Sequence, residues 1–319
     1  MTQTILLVWI WWAWMSSLAG LLLWLWYKNI VWVSNIENDK IKELSAKWIS
    51  TTIWHWIHKV NSWTFVIYSQ AAEQSPEVQE AWKLFQNNHI TNPPPLLYTQ
   101  FLWEFSKYMK TIAITGTHGK STTTWMVAYA LKKLDQQFWV WINWAVLADR
   151  SSSYAYNDTH KQTLQSIIDH IFSRKWPFVE DKMKTLRFVI EACEYNQHFL
   201  HYDPDYAIIT NCEIDHVSSY TDENEYFETF CSFIRRVKNK VFIPEKTDQW
   251  LEYCIQNLEE AHTQKIISVP TKQFSFHHLL WWHNNINASL AEALLREVTI
   301  DITIQETLKS YKWIWRRAE

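Results

Sequence analysis

Residues 8 to 26 read VWIWWAWMSSLAGLLLWLW, and no other stretch constrains the fold of this chain so strongly. From Ile5 to Tyr27 the apolar character is interrupted mainly by Ser16 and Ser17, and about 20 apolar residues suffice to cross a bilayer. Hydropathy alone therefore reads it as a membrane span. Two features oppose that reading. No Lys or Arg precedes the run, as a signal peptide would require, and Trp normally sits in belts at the membrane interface rather than through the hydrocarbon.

Composition offers another explanation. The chain has 23 Trp and only 3 Gly in 319 residues, whereas Gly alone usually makes up about 7% of a protein. Trp also falls where turn chemistry favours a residue with no side chain or with φ > 0: Trp11-Trp12, Trp54-His55-Trp56, Trp139-Val140-Trp141 and Trp281-Trp282. Most of these tryptophans are read as occupying glycine positions, as when UGA codons that an organism reads as Gly are translated as Trp. Gly20, Gly116 and Gly119 are the glycines that remain.

With that reading, residues 4 to 26 become a strand, a glycine-rich turn and a helix with small residues on its packing side. G-x-G-G-x-G after a strand is a dinucleotide-type fingerprint, in which the backbone approaches a pyrophosphate at a helix N-terminus. Strand-like runs follow at Ile30 to Ser34 and Phe65 to Tyr68. Asn92-Pro93-Pro94-Pro95 marks a turn, and Leu96 to Lys110 reads as a helix leading to a domain boundary near residue 109. Beyond it come a strand at Thr111 to Thr115, a helix from Thr122 to Leu134, and strands at Leu186 to Ile190, Tyr206 to Thr210 and Lys240 to Ile243. Ser151 to Thr159 reads as a polar loop. The expected fold is α/β: a Rossmann-like domain over 1–108, then a P-loop-type α/β domain with a mainly parallel sheet over 109–312.

A net charge of −3 with 20% charged residues suits a soluble globular protein of about two domains and does not point to nucleic acid. Cys193, Cys212, Cys231 and Cys254 form no C-x-x-C pair, which fits a reducing cytoplasm. Cys193 with His198 and His201 could suggest zinc, but no second cysteine pair completes a tetrahedral set.

The strongest chemical signal is Gly116-Thr117-His118-Gly119-Lys120-Ser121 between a strand and a helix. Backbone N–H groups donate to phosphate oxygens, Lys120 adds a compact positive charge, and the Ser121 hydroxyl can ligate Mg²⁺. Position 114 is Ile, which departs from the general G-x-x-x-x-G-K-[ST] form. Glu191 closes an apolar strand and would emerge at the carboxyl edge of the sheet. Asn284 and Asn287, three apart at a helix start, can share a helix face.

GTHGKSTTT resembles the variant P-loop of the Mur ligases, which build peptidoglycan precursors, and His118 is similar to the branch acting on UDP-N-acetylmuramate. With Gly read for Trp, Val8 to Ala19 resembles the family's nucleotide-sugar loop, and Tyr68-Ser69-Gln70-Ala71 its following segment. Glu191-Ala192-Cys193-Glu194-Tyr195, Thr210-Asn211 with Asp215-His216, and His283-Asn284-Asn285-Ile286-Asn287-Ala288 match three further motifs in the expected order.

The resemblance implies ATP and Mg²⁺ as cofactors. It implies catalytic roles for Lys120, Glu191 and His216, with Ser121, Glu191 and His216 around the metal. Nucleotide contacts fall to Gly116, Thr117, His118, Gly119, Lys120, Ser121, Thr122, Asn211, His283, Asn284, Asn287 and Arg317. The UDP-sugar falls to Trp9, Trp11, Trp12, Trp14, Met15, Ser16, Ser34, Ser69, Gln70 and Ala71. Asn35 stands where relatives often carry Asp.

The implied reaction activates the carboxylate of UDP-N-acetylmuramate with ATP as an acyl phosphate, which an amino-acid amine then attacks. EACEYNQHFLHYDPDYAI is most similar to the L-alanine-adding branch. A tripeptide-recycling ligase that shares GTHGK is the rival reading, and a nucleotide-binding module without ligase activity or a membrane-anchored protein are the others. Residues 313–319 are similar to the family's entry into a third, amino-acid-binding domain. The expectation is a fragment of a longer frame, or a last domain supplied as a separate chain. The partners expected are the two small-molecule substrates, with no nucleic acid and no membrane.

Overall fold

The computed structural model describes residues 4–9, 14–34, 49–53, 60–88, 92–134, 138–141, 146–147, 154–156, 161–173, 186–214, 220–276, 283–311 and 314–315. Two compact units emerge, one drawn from 1–105 with 159–180, the other from 106–158 with 181–319.

The first unit is built on β1 (Thr4–Trp9), β2 (Ile30–Ser34), β3 (Ser50–Ile53), β4 (Thr64–Tyr68) and β5 (Leu96–Leu97), all parallel in the order β3-β2-β1-β4-β5. Every residue of β2 and β4 is buried, which explains their uninterrupted apolar character, since a parallel sheet is covered on both faces. The helices α1 (Trp14–Trp24), α2 (Pro76–Asn87) and α3 (Tyr98–Ser106) follow β1, β4 and β5. Pro76 opens α2, where its missing N–H costs nothing.

The opening run is thus a strand and a helix. An 11-residue helix spans about 16 Å, half a hydrocarbon core, and no helix among the described residues is long and apolar enough to cross a membrane. The end of α1 also bears on the glycine deficit. Trp26 has φ +66° and is 70% exposed. Its N–H donates to Leu23 O, while Tyr27 N–H reaches back to Leu22 O. Those are the paired bonds of a Schellman motif, whose left-handed residue is ordinarily Gly.

In the second unit the order is β13-β12-β11-β6-β10-β7-β9: β6 (Lys110–Thr115), β7 (Phe138–Trp141), β9 (Tyr154–Tyr156), β10 (Arg187–Glu191), β11 (Tyr206–Ile209), β12 (Lys240–Pro244) and β13 (Ile266–Val269). All pairs are parallel except β7 with β9. A separate antiparallel pair joins β8 (Val146–Leu147) to β14 (Ile314–Trp315). The helices α4 (Lys120–Lys133), α6 (Glu223–Arg236), α7 (Gln249–Gln256), α8 (Glu260–Thr263), α9 (His283–Val298) and α10 (Ile304–Lys309) belong here. The core gathers Ile112, Ile114, Trp125, Val189, Ile208, Leu290 and Leu294. Trp125 is fully buried and its indole N–H finds no partner among the described residues, an expensive arrangement for a donor.

Two local expectations are revised. Leu96 to Lys110 is not one helix: Leu96 and Leu97 pair with Ile67 and Tyr68, the helix ends at Ser106, and Lys110 already belongs to β6. The stretch read as a polar loop contains β9, whose alternating tyrosines pair with Trp139 to Trp141. Apart from these, α5 (Lys161–Ser173) falls within the first compact unit. Leu164, Ile167, Ile168 and Phe172 are buried there, with the Phe172 ring 4.4 Å from that of Phe65.

Candidate nucleotide and metal site

The phosphate-type loop joins β6 to α4, as the sequence pattern required. Gly116 has φ +121° and Gly119 has φ +84°, conformations that L side chains avoid. A Cβ on Gly116 would lie 2.3 Å from Thr210 Oγ1 and 2.7 Å from Asn211 O. A Cβ on Gly119 would lie 2.7 Å from Asn287 Oδ1. Both glycines therefore permit close approach as well as backbone shape.

Strand order then brings distant residues to this loop. β10 and β11 flank β6, with Glu191 beside Ile114 and Ile209 beside Thr115. The Ser121 hydroxyl donates to Glu191 Oε1 at 2.9 Å, both groups being buried. On the other flank, His118 N–H donates to Asn211 Oδ1 at 2.9 Å, and the Thr210 hydroxyl lies 2.5 Å from His118 O. The Thr117 hydroxyl donates to Glu213 O at 2.6 Å and accepts from Glu213 N–H at 2.9 Å.

Lys120 is 7% exposed and donates to Gly116 O at 2.5 Å, Thr117 O at 3.1 Å and Glu194 Oε1 at 2.9 Å. Glu194 is fully buried. The motif quoted in the sequence contains Glu194, yet nothing in one sequence marks it as the lysine's partner. Two neighbours were missed as well: the hydroxyl of Tyr220 donates to Glu194 O, and Asp248 accepts from Cys212 N–H at 2.7 Å. Burial first, then the charge of Glu194, pushes the Cys193 thiol up to about 12 despite the offsetting pull of Lys120. That shift disfavours the thiolate form of this half-buried residue.

Of the other residues singled out, Thr122 is half-buried in the first turn of α4 and His118 is exposed, its Nε2 3.8 Å from Glu213 Oε2. Asn284 and Asn287 are buried at the start of α9, where Asn287 reaches Gly119; His283 is exposed. His216, with Asp215, and Arg317 lie outside the described residues. No group of three or more His, Cys, Asp and Glu able to hold a metal occurs among those described, Cys193, His198 and His201 included.

In the first unit, the carboxyl ends of β1, β2 and β4 collect the candidates for the sugar nucleotide. Trp9 pairs with Ser34, and Ser69 N–H donates to Val8 O at 3.2 Å. Ser34 and Ser69 are buried, and the Ser69 hydroxyl has no hydrogen-bond partner among the described residues. Gln70 and Ala71 are exposed in the short 3₁₀ turn Gln70–Ala72. Trp14 and Ser16 sit in the first turn of α1 beside buried Met15. Trp11, Trp12 and Asn35 lie outside the described residues. The order β3-β2-β1-β4 places the chain reversal between β1 and β4, where open α/β sheets bind ligands.

Comparison with known proteins identifies the family. The family model described as the Mur ligase middle domain matches residues 114–309, more than half of the chain. The chain belongs to the Mur ligase family. A UDP-N-acetylmuramate–L-alanine ligase of Streptococcus mutans serotype c is 23% identical over 275 residues, 79% of this chain and 52% of that protein. The chain thus spans about half the length of that curated relative. Among solved structures, the UDP-N-acetylmuramate:L-alanyl-γ-D-glutamyl-meso-diaminopimelate ligase of Neisseria meningitides superimposes with a TM-score of 0.74 at 18% identity, covering 99% of this chain and all of that one. The UDP-N-acetylmuramate-alanine ligase MurC of Thermotoga maritima gives 0.69 at 18% identity, over 99% of this chain and 70% of its own. At such identities these structures establish the fold, and the Mur ligase architecture of two mainly parallel α/β units is the one observed.

Proposed function

We propose that the chain carries the UDP-N-acetylmuramate and ATP sites of a ligase that joins L-alanine to UDP-N-acetylmuramate in peptidoglycan precursor synthesis. The observation that carries this reading is the 2.9 Å contact of Ser121 with Glu191 beside Lys120, on a glycine-bounded loop at a helix start. A hydroxyl and a carboxylate are the hard oxygen donors that suit Mg²⁺, so these residues fit the ion. When bound, Mg²⁺ would supply charge neutralisation to the triphosphate. The chain's own part is to present the N–H groups of the loop and of α4, to place the Lys120 charge, and to fix the loop against Asn211 and Asn287. In the first unit, the buried hydroxyl of Ser69 supports a polar ligand group at the β1/β4 edge.

The amino acid is proposed from the curated relative, named for L-alanine. The tripeptide named in the Neisseria structure is the alternative. Phosphate release from ATP with Mg²⁺ and UDP-N-acetylmuramate decides between them, with L-alanine or the tripeptide as the amine, and with and without a separately supplied third domain. Release that depends on L-alanine supports the proposal, and release that depends only on the tripeptide replaces it. ATP binding without release under either condition identifies a nucleotide-binding module.

A further inference from the structure

A lysine ammonium has three N–H donors, and Lys120 spends all three inside the protein, on Gly116 O, Thr117 O and Glu194. A phosphate oxygen therefore has to displace one acceptor. Releasing a loop carbonyl costs one hydrogen bond, whereas abandoning Glu194 would leave a fully buried carboxylate uncompensated.

The position of Glu194 is itself built with care. Its carbonyl accepts from Gln197 N–H at 2.9 Å and from the Tyr220 hydroxyl, and the preceding Cys193 O accepts from Phe199 N–H at 3.0 Å. Beyond Tyr195 the chain passes through two left-handed non-glycine residues, Asn196 at φ +49° and Gln197 at φ +58°. The Gln197 amide is tied to Glu225 Oε1 at 3.0 Å. Such strain persists only where the surroundings over-determine it, and it clusters at working sites.

We propose that Glu194 is a positioning residue that stays paired with Lys120 when nucleotide binds and weakens the loop's hold on phosphate. Lys120 exchanges a loop carbonyl for a phosphate oxygen while its carboxylate partner remains in place. The nearby negative charge opposes the triphosphate and eases its departure. The inference rests on the reading of this loop as an ATP site.

Calorimetric binding of ATP with Mg²⁺ to the full chain tests it, using wild type, Glu194→Gln and Glu194→Asp. Glu194→Gln should bind at least about tenfold tighter, equivalent to about 1.4 kcal/mol. Glu194→Asp, with its charge drawn back by one methylene, should fall between the two. A packing role for Glu194 would leave affinity unchanged or weaken it, so an equal or weaker Glu194→Gln overturns the inference. If Glu194→Gln does not fold, Glu194→Asp decides: tighter than wild type supports the pairing, and equal or weaker overturns it. A wild-type protein that binds no ATP overturns the nucleotide reading, and the inference falls with it.

Discussion

Gly116→Ala adds a single methyl group at the point where the loop after β6 passes β11. Two costs follow. A non-glycine residue at φ +121° lies in a sparsely populated region, at about 1–3 kcal/mol. The new Cβ would also meet Thr210 Oγ1 at 2.3 Å and the Asn211 backbone at 2.7 and 2.9 Å. That backbone cannot easily give way. Thr210 N–H is bonded to Thr115 O at 3.0 Å, and Cys212 N–H to Asp248 Oδ2 at 2.7 Å. Overpacking of this kind costs a further 1–3 kcal/mol, roughly, so the total is about 2–6 kcal/mol.

Gly119→Ala is the internal control. It shares the positive φ, at +84°, but its obstruction is the end of the Asn287 side chain, which can swing aside. Its cost should be the backbone part alone, about 1–2 kcal/mol. Urea unfolding of both variants measures the difference, with amide exchange across α4 assigning the transition to the second unit. A Gly116→Ala protein within about 1 kcal/mol of wild type, or no worse than Gly119→Ala, would refute the reasoning.

Three further outcomes are expected. Burial, with a smaller contribution from His201, depresses His198 from 6.5 to about 4. A base depressed on folding stabilises above its unfolded pKa and loses that stability as pH falls toward its folded value. Acidification from pH 7.5 to 5 should therefore cost about 2 kcal/mol through this residue, and His198→Phe should flatten the denaturation profile over that window. Glu292 is 1% exposed and bonded to Lys272 at 3.0 Å and to Arg296 at 2.6 Å. Its burial favours the neutral form, but Arg296 and Lys272 hold its carboxyl below the usual value. Its stabilisation is present above the unfolded carboxylate pKa and disappears as pH falls through the folded one. Replacing both Lys272 and Arg296 with Met should cost about 3–5 kcal/mol at pH 7 and reverse that dependence, with stability recovering on acidification; an unchanged urea midpoint would contradict it. Mass spectrometry of the protein from its own organism should find Gly at position 26, where the left-handed cap of α1 favours it; intact Trp in peptides covering 9 to 26 would defeat the glycine reading.

Much of the second unit was legible because its signals are local. A buried strand, two glycines, a lysine and a helix start within a dozen residues define the β6 loop whatever surrounds it. The strands at Ile30 to Ser34, Tyr206 to Ile209 and Lys240 to Pro244 were readable for a similar reason: in a parallel sheet covered on both faces they must be continuously apolar. The helix–strand ambiguity at Leu96 to Lys110 shows where this fails. Pairing of Leu96 and Leu97 with β4 outweighed a helical pattern, and a two-residue strand has no period to read.

The sequence alone therefore determined several of the buried strands, the place of the phosphate-type loop and, through the glycine deficit, the expectation that the opening run is a strand and a helix rather than a span. Tertiary structure decided which side chains meet that loop. Glu191 lies 70 residues from Ser121, Glu194 lies 74 from Lys120, and Asn211 lies 93 from His118. These pairs form because β10 and β11 both lie beside β6 and their carboxyl ends open at one edge. Strand adjacency is settled by the packing of the whole sheet, which no local stretch of residues encodes.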